Sequence, residues 1–357
     1  MSRGSDKTHQ AVVQSSVVWG MTAALGYVAL AMYLFGPHWG QLGRGQALRP
    51  VNMVVGSMGV YLLGRRWISS RLASMFCGAV YGFSPLAIYL TQFHPLAGLA
   101  AALVPWLFCP AAHVPRWIAG RPARFLGRPL GWWVHGPLLA GPFLVILAAF
   151  ALLGHLRLFL MPLRTGVLHS GDWIGWVAPW AAALRGTMPA GVYHCPVAAL
   201  TLALVMIVKA KRWPILLVGM AGLILAAFSP LFQVSPVIWL CVATTWAAVL
   251  VGLGLDGLVW AGWADRGWLA VSLIVVSGLG LGALGGASYA GYHGSPEVME
   301  ALIHSFRMYG LGAAGVGLIL AIVLVRVRLV AMRQAVAVVA LSADLVLTAR
   351  LLMDALA

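Results

Sequence analysis

Between residues 162 and 194 the sequence gathers Arg164, His169, Asp172, Arg185 and His194, with Trp173, Trp176 and Trp180 among them. A carboxylate and two imidazoles can pass protons near neutral pH, and guanidiniums can hold a phosphate through paired N–H donors. The chemistry within reach is acid–base work on a phosphate-bearing lipid. Asp172, His169 and His194 are the candidate catalytic groups, and Arg164 and Arg185 the candidate lipid-phosphate ligands. The alternative is an amphipathic interfacial helix, anchored by its tryptophans, whose polar groups face water. Both readings stand on the residues alone.

The remaining ionisable groups are few. Of eight acids, Asp6 lies near the start, Asp265 beside Arg266, and Asp256 at the end of an apolar run in LGLDGL, where a cytoplasmic interface is expected. Glu297 and Glu300 fall in 293–306, which reads as a short surface helix; Asp344 lies in the last apolar run and Asp354 closes the chain. Bis-histidine haem, with pairs such as His155 and His169 or His94 and His113, needs imidazoles facing each other at matching depth. The ten histidines fall mostly at the ends of runs, so haem is not expected. Cys77, Cys109, Cys195 and Cys241 form no CxxC pair and read as small buried hydrophobes. No cofactor and no metal are expected, because no cluster has metal-ligand spacing.

The elements that must position these groups are set by composition. The chain has 357 residues, 62% apolar and only 9% charged, against about 25% charged in soluble proteins. Roughly 220 apolar residues, at about 20 per span, supply on the order of eleven membrane-crossing helices. A soluble enzyme, a disordered chain and a secreted disulfide scaffold are excluded. A β-barrel fits poorly, since the apolar runs are continuous rather than alternating. The expected fold is all-α: a polytopic transmembrane bundle forming one integral membrane domain over 1–357, with a short cytoplasmic tail at 1–10.

The apolar runs lie at 11–35, 48–64, 72–92, 96–113, 137–161, 189–208, 213–230, 235–258, 268–292, 307–326 and 329–353. The first is too long for the core of a signal peptide and has no convincing cleavage site. The net charge of +15 would point to nucleic acid in a soluble protein, but here Lys and Arg occupy short loops between apolar runs. Alternate loops carry 16 and 7 of the 23 basic residues, which places the N-terminus in the cytoplasm and the C-terminus outside. A bacterial-type inner membrane, with lipids rather than nucleic acid as partners, is the expected setting. Glycines crowd two late runs, Gly278, Gly280, Gly282, Gly285 and Gly286 in one and Gly310, Gly312, Gly315 and Gly317 in the next. They read as surfaces for close helix packing, within the bundle or against another subunit.

Residues 65–108, RRWISSRLASMFCGAVYGFSPLAIYLTQFHPLAGLAAALVPWLF, resemble a recurring stretch of YfhO-type membrane proteins of the GT-C glycosyltransferase superfamily. The resemblance rests on a basic turn, then Tyr81, Phe83 and Ser84, then His94, then Leu103 and Pro105. FSPLFQVSPVIWLCVATTWAAVLVGLGLDGL (228–258) looks like the family's paired late helices, closing on Gly252, Gly254 and Asp256, and SADLV (342–346) like its final helix. About a third of the chain is covered. The resemblance implies a GT-C-like bundle and transfer of a sugar from a polyprenyl-phosphate carrier.

Enzymes of that superfamily place an acidic catalytic residue in the first outer loop. Here that loop is GPHWGQLGRGQALRP (36–50), whose ionisable groups are His38, Arg44 and Arg49, with no Asp or Glu. The family's base therefore maps onto no residue. The first expectation is a non-catalytic subunit or lipid-binding scaffold in a larger inner-membrane complex. The alternative is an active transferase with Asp172 or His169 as base and Arg164 or Arg185 on the phosphate. A transporter would need paired broken helices and a polar midplane site, and too few polar groups lie at midplane to favour it.

Overall fold

The computed structural model describes residues 3–37, 48–93, 95–118, 124–125, 128–129, 140–149, 151–152, 213–228, 234, 236–259, 263–294 and 296–325. Between 332 and 350 it describes 332–333, 335–336, 338–339, 342–343, 345–347 and 349–350. Ten helices are labelled here: α1 (Arg3–Phe35), α2 (Leu48–Gly64), α3 (Arg71–Gly82), α4 (Pro85–Phe93), α5 (Pro95–Ile118), α6 (Ala140–Ala149), α7 (Trp213–Ala227), α8 (Pro236–Val259), α9 (Arg266–Tyr292) and α10 (Pro296–Leu324). A two-residue antiparallel ladder pairs Arg124 with Pro129 and Phe125 with Arg128.

Among the described residues, four helical stretches are long and apolar enough to cross a membrane: Val17–Phe35, Pro236–Gly257, Arg266–Tyr292 and Val298–Leu324. The bent pair α3–α4 passes the same test when its two helices are taken together, as a broken span or a re-entrant loop. Apart from the short ladder, the described elements are helical, and their apolar length marks a membrane protein. Its lipid-compatible surface is plain on α1 and α9, where Met21, Leu25, Ile274 and Leu281 are all exposed.

The run at 72–92 is two helices rather than one, meeting at an angle of 47°. Ser84 and Pro85 cause the break. Proline has no N–H to continue the α3 ladder, and it suits the first position of a new helix. Ser84 Oγ accepts from Ala87 N at 3.3 Å, capping α4, and donates to Tyr81 O at 2.7 Å. A second correction concerns 293–306, which is no separate surface helix. His293 caps the end of α9, and 296–306 are the first turns of α10, opened by Pro296 and running without interruption to Leu324. Glu300, His304 and Arg307 end an apolar run but are compatible with helix, so hydropathy marks a boundary that the backbone ignores.

The main core forms where α2 meets α3 and α5, and where α8 meets α3, α5 and α7. An aromatic chain runs through it. Trp67 meets Trp246 at 5.6 Å, Trp246 meets Phe108 at 5.3 Å, Phe108 meets Phe143 at 6.0 Å, and Phe143 stacks on Trp239 at 6.1 Å. Edge-to-face and offset pairs of this kind stabilise by about 0.5–1.5 kcal/mol each beyond their buried area. Tyr27 and Ala31 of α1 pack with Met53 and Tyr61 of α2, and Leu345 and Ala349 join the same cluster. Helices α9 and α10 form an antiparallel hairpin centred on Val276 and Tyr309, tied to the main core through Leu269, Ile319 and Val323.

Candidate functional site

The five residues singled out between 162 and 194, namely Arg164, His169, Asp172, Arg185 and His194, lie outside the described residues, as do His38, Arg44 and Asp344. The polar chemistry that the structure does position sits elsewhere. It is concentrated on the broken span α3–α4 and the helices around it.

At one end of that span lies Asp256, near the C-terminus of α8. Its carboxylate accepts the backbone N–H of Ser69 at 3.0 Å, the hydroxyl of Ser69 at 2.7 Å and the backbone N–H of Ser70 at 3.1 Å. Both serines precede the first turn of α3, where free N–H groups and the positive end of the helix dipole favour an anion. Ser70 Oγ accepts from Ala73 N at 3.3 Å and caps the same helix. Arg65 Nη1 donates to Ile68 O at 3.3 Å and Ser69 O at 3.2 Å, fixing the turn from within.

Gly252 makes this contact possible. It lies one helical turn before Asp256, and a Cβ there would stand 2.5 Å from Ile68 Cδ1 and 2.8 Å from Cys77 Cβ. Only a hydrogen lets α8 close on α3 far enough for the carboxylate to reach the turn. The basic turn and the GLG-x-D element, separate in the sequence, are thus one structural unit.

Further along α3, tyrosines lock neighbouring helices to backbone carbonyls. Tyr27 Oη donates to Met75 O at 2.7 Å, joining α1 to α3, and Tyr81 Oη donates to Ala101 O at 2.6 Å, joining α5 to α3. On α8, Thr245 Oγ1 donates to Cys241 O at 2.8 Å. Glycines allow the approach: a Cβ on Gly78 would strike Tyr27 Oη, and one on Gly82 would overlap Ser57 Oγ while standing 2.5 Å from Met53 O. Ser57 is fully buried at this contact, and its Oγ has no hydrogen-bond partner among the described residues.

Beyond the break, Asn52 and Thr91, each at most 2% exposed, converge on Gly98, where a Cβ would lie 2.8 Å from Asn52 Nδ2 and 2.6 Å from Thr91 Oγ1. The sequence reading passed over these two residues. Their signal was an amide in the apolar stretch PVNMVV, since polar groups at membrane depth are expensive and seldom idle.

Comparison with known proteins finds no family model, no curated protein and no solved structure that matches this chain.

The described polar contacts join helices to one another. The Asp256 carboxylate receives three donors, and Tyr27 and Tyr81 donate to backbone oxygens. Among the described residues no group of three His, Cys, Asp or Glu side chains could hold a metal ion.

The contacts also sort by side. Arg65, Asp256 and the Arg71 guanidinium, 5.6 Å from the Trp19 ring centroid, cluster at one end of the bundle. Arg350 Nη1 meets Tyr33 Oη at 3.2 Å at the other.

Proposed function

We propose that this protein is a non-catalytic, GT-C-like subunit, a lipid-binding scaffold built into a larger inner-membrane complex. The bundle would have about eleven spans, with the N-terminus cytoplasmic and the C-terminus outside. The observation that carries the reading is the clamp at Asp256. This carboxylate belongs to a segment resembling a glycosyltransferase-superfamily helix, yet all its described contacts tie α8 to the α2–α3 turn. The first outer loop, which holds the catalytic acid in that superfamily, has no carboxylate to offer.

The test is extraction in mild detergent followed by identification of what co-purifies. A defined set of membrane subunits in fixed ratio is the expected result. A lone chain carrying polyprenyl lipid would overturn the proposal in favour of a transferase acting through Asp172 or His169. Complementation of a deletion strain supplies the second arm. The triple change Asp172→Asn, His169→Gln, His194→Gln leaves a scaffold functional, whereas a transferase that depends on these groups loses about 10²–10⁴-fold in rate with its general base.

A further inference from the structure

Helix α9 has 27 residues and α10 has 29, about 40 and 43 Å at 1.5 Å per residue. The hydrocarbon core of a bilayer is about 30 Å thick. Absorbing the excess by tilt alone would need an angle of roughly 40°, the extreme of what spanning helices adopt. Polarity shows where the surplus lies. The α9 end near Arg266 is marked by the Arg266 guanidinium 4.4 Å from the Trp263 ring centroid and by Trp268 Nε1 donating to Asp265 Oδ1 at 2.9 Å. The opposite end, where the hairpin turns through Gly294, carries Tyr289, Tyr292 and His293. Tyr289 and Tyr292 are 69% and 88% exposed.

The register of the two helices fixes the levels. A Cβ on Gly286 would lie 3.2 Å from Leu302 Cδ1, and one on Gly280 3.2 Å from Tyr309 Cβ. This sets His304 level with about Gly285 and Arg307 level with about Gly282. From Arg266 to Gly285 the rise is about 29 Å, one hydrocarbon thickness. Glu300 lies 4.0 Å from His304, while Arg307 is exposed and has no carboxylate partner among the described residues.

We propose that the tip of the α9–α10 hairpin stands out of the bilayer by about two helical turns, and that Arg307, just beneath its surface, reaches up to bind a lipid phosphate there. A guanidinium with no carboxylate partner among the described residues, one turn below the headgroups, extends its long stem toward them rather than remaining in hydrocarbon. Phosphate offers it the geometry of a charge-assisted, bidentate contact. The site needs only that the chain be membrane-embedded, so it deepens the lipid-binding part of the proposed function and leaves the question of subunits aside.

The test uses the full chain reconstituted in vesicles of phosphatidylcholine with phosphatidylglycerol. Nitroxide labels on Tyr292→Cys and Leu318→Cys report collisions with a water-soluble nickel chelate and with oxygen. Nickel should dominate at 292 and oxygen at 318; a label at 292 as shielded from nickel as that at 318 would overturn the protruding tip. In native mass spectrometry, Arg307→Gln should lower retained phosphatidylglycerol about tenfold, and Arg307→Lys should keep most of it. Unchanged retention in Arg307→Gln would overturn the phosphate site even with the tip exposed. Displacement of the lipid by millimolar inorganic phosphate would overturn it as a lipid site. Failure of the scaffold reading would register only in which subunits co-purify.

Discussion

Ser69 and Asp256 lie 187 positions apart in the chain, and the serine presents both its backbone N–H and its hydroxyl to one carboxylate oxygen, at 3.0 and 2.7 Å. The pairing links the entry to α3 with the exit of α8. Hydrogen bonds to a charged acceptor are worth about 1.5–3 kcal/mol, against about 1 for neutral ones. Replacing Asp256 by Ala should therefore destabilise the protein by about 2–3 kcal/mol, and Ser69→Ala, which removes one bond to the carboxylate, by about 1.5. Thermal unfolding in detergent measures both. In the double variant the losses should fall short of additive, because the two changes remove one shared contact.

Glycines that look alike in the sequence should respond differently. Gly82→Ala forces a methyl into Ser57 Oγ and the Met53 carbonyl and should sharply reduce the yield of folded protein. Gly282 has nothing within 4 Å of a Cβ, so Gly282→Leu should leave the thermal stability of the isolated chain unchanged. If that open face seats another subunit, the same variant loses function in the deletion strain. Comparing its melting temperature with its complementation separates the two effects.

Tyr81→Phe leaves the Ala101 carbonyl without its 2.6 Å donor, and Tyr27→Phe does the same to Met75. Each should cost about 0.5–1.5 kcal/mol while keeping the ring packing. Equal stability of either variant and the parent would show that the hydroxyl adds nothing to helix adhesion there.

Sidedness is open to labelling. Cysteine introduced for Arg121 should react with an impermeant maleimide only from the cytoplasmic face, and cysteine introduced for Asp172 only from the opposite face. Reaction of both from one face would remove the eleven-span arrangement and the orientation read from the Lys/Arg asymmetry.

For lipid contact in the segment 162–194, Arg164→Gln with Arg185→Gln should reduce retained anionic lipid about tenfold in native mass spectrometry. Unchanged occupancy would leave that segment as an interfacial anchor.

Continuous apolar runs made the helices legible. Helix α2 spans Leu48–Gly64, the limits of its apolar run, and α9 starts only two residues before the run does. Proline and charge were harder to weigh. The Ser84–Pro85 pair divides a run that hydropathy reads as single, and Glu300 to Arg307 truncate a run that the backbone continues. Asp256 was placed at an interface by its position at the end of a run, but its partners were not legible. Nothing local in LGLDGL encodes a turn 187 residues away, and the contact exists only because Gly252 admits α3 to the same face. Asn52 and Thr91 were visible as polar residues in apolar runs, and only the fold brings both to Gly98.

The clamp at Asp256 also has a timetable. A chain made at about 5–20 residues per second needs roughly 10–40 s to travel from Ser69 to Asp256. From Ile118 onward α2 to α5 are already synthesised, while the serine N–H donors at the head of α3 wait for an acceptor still on the ribosome or not yet made. The first five helices cannot reach their final arrangement before α8 enters the membrane. A chain stalled before residue 256 leaves an unfinished bundle, with the donors of that turn still open to a quality-control protease or to another subunit that offers a carboxylate first.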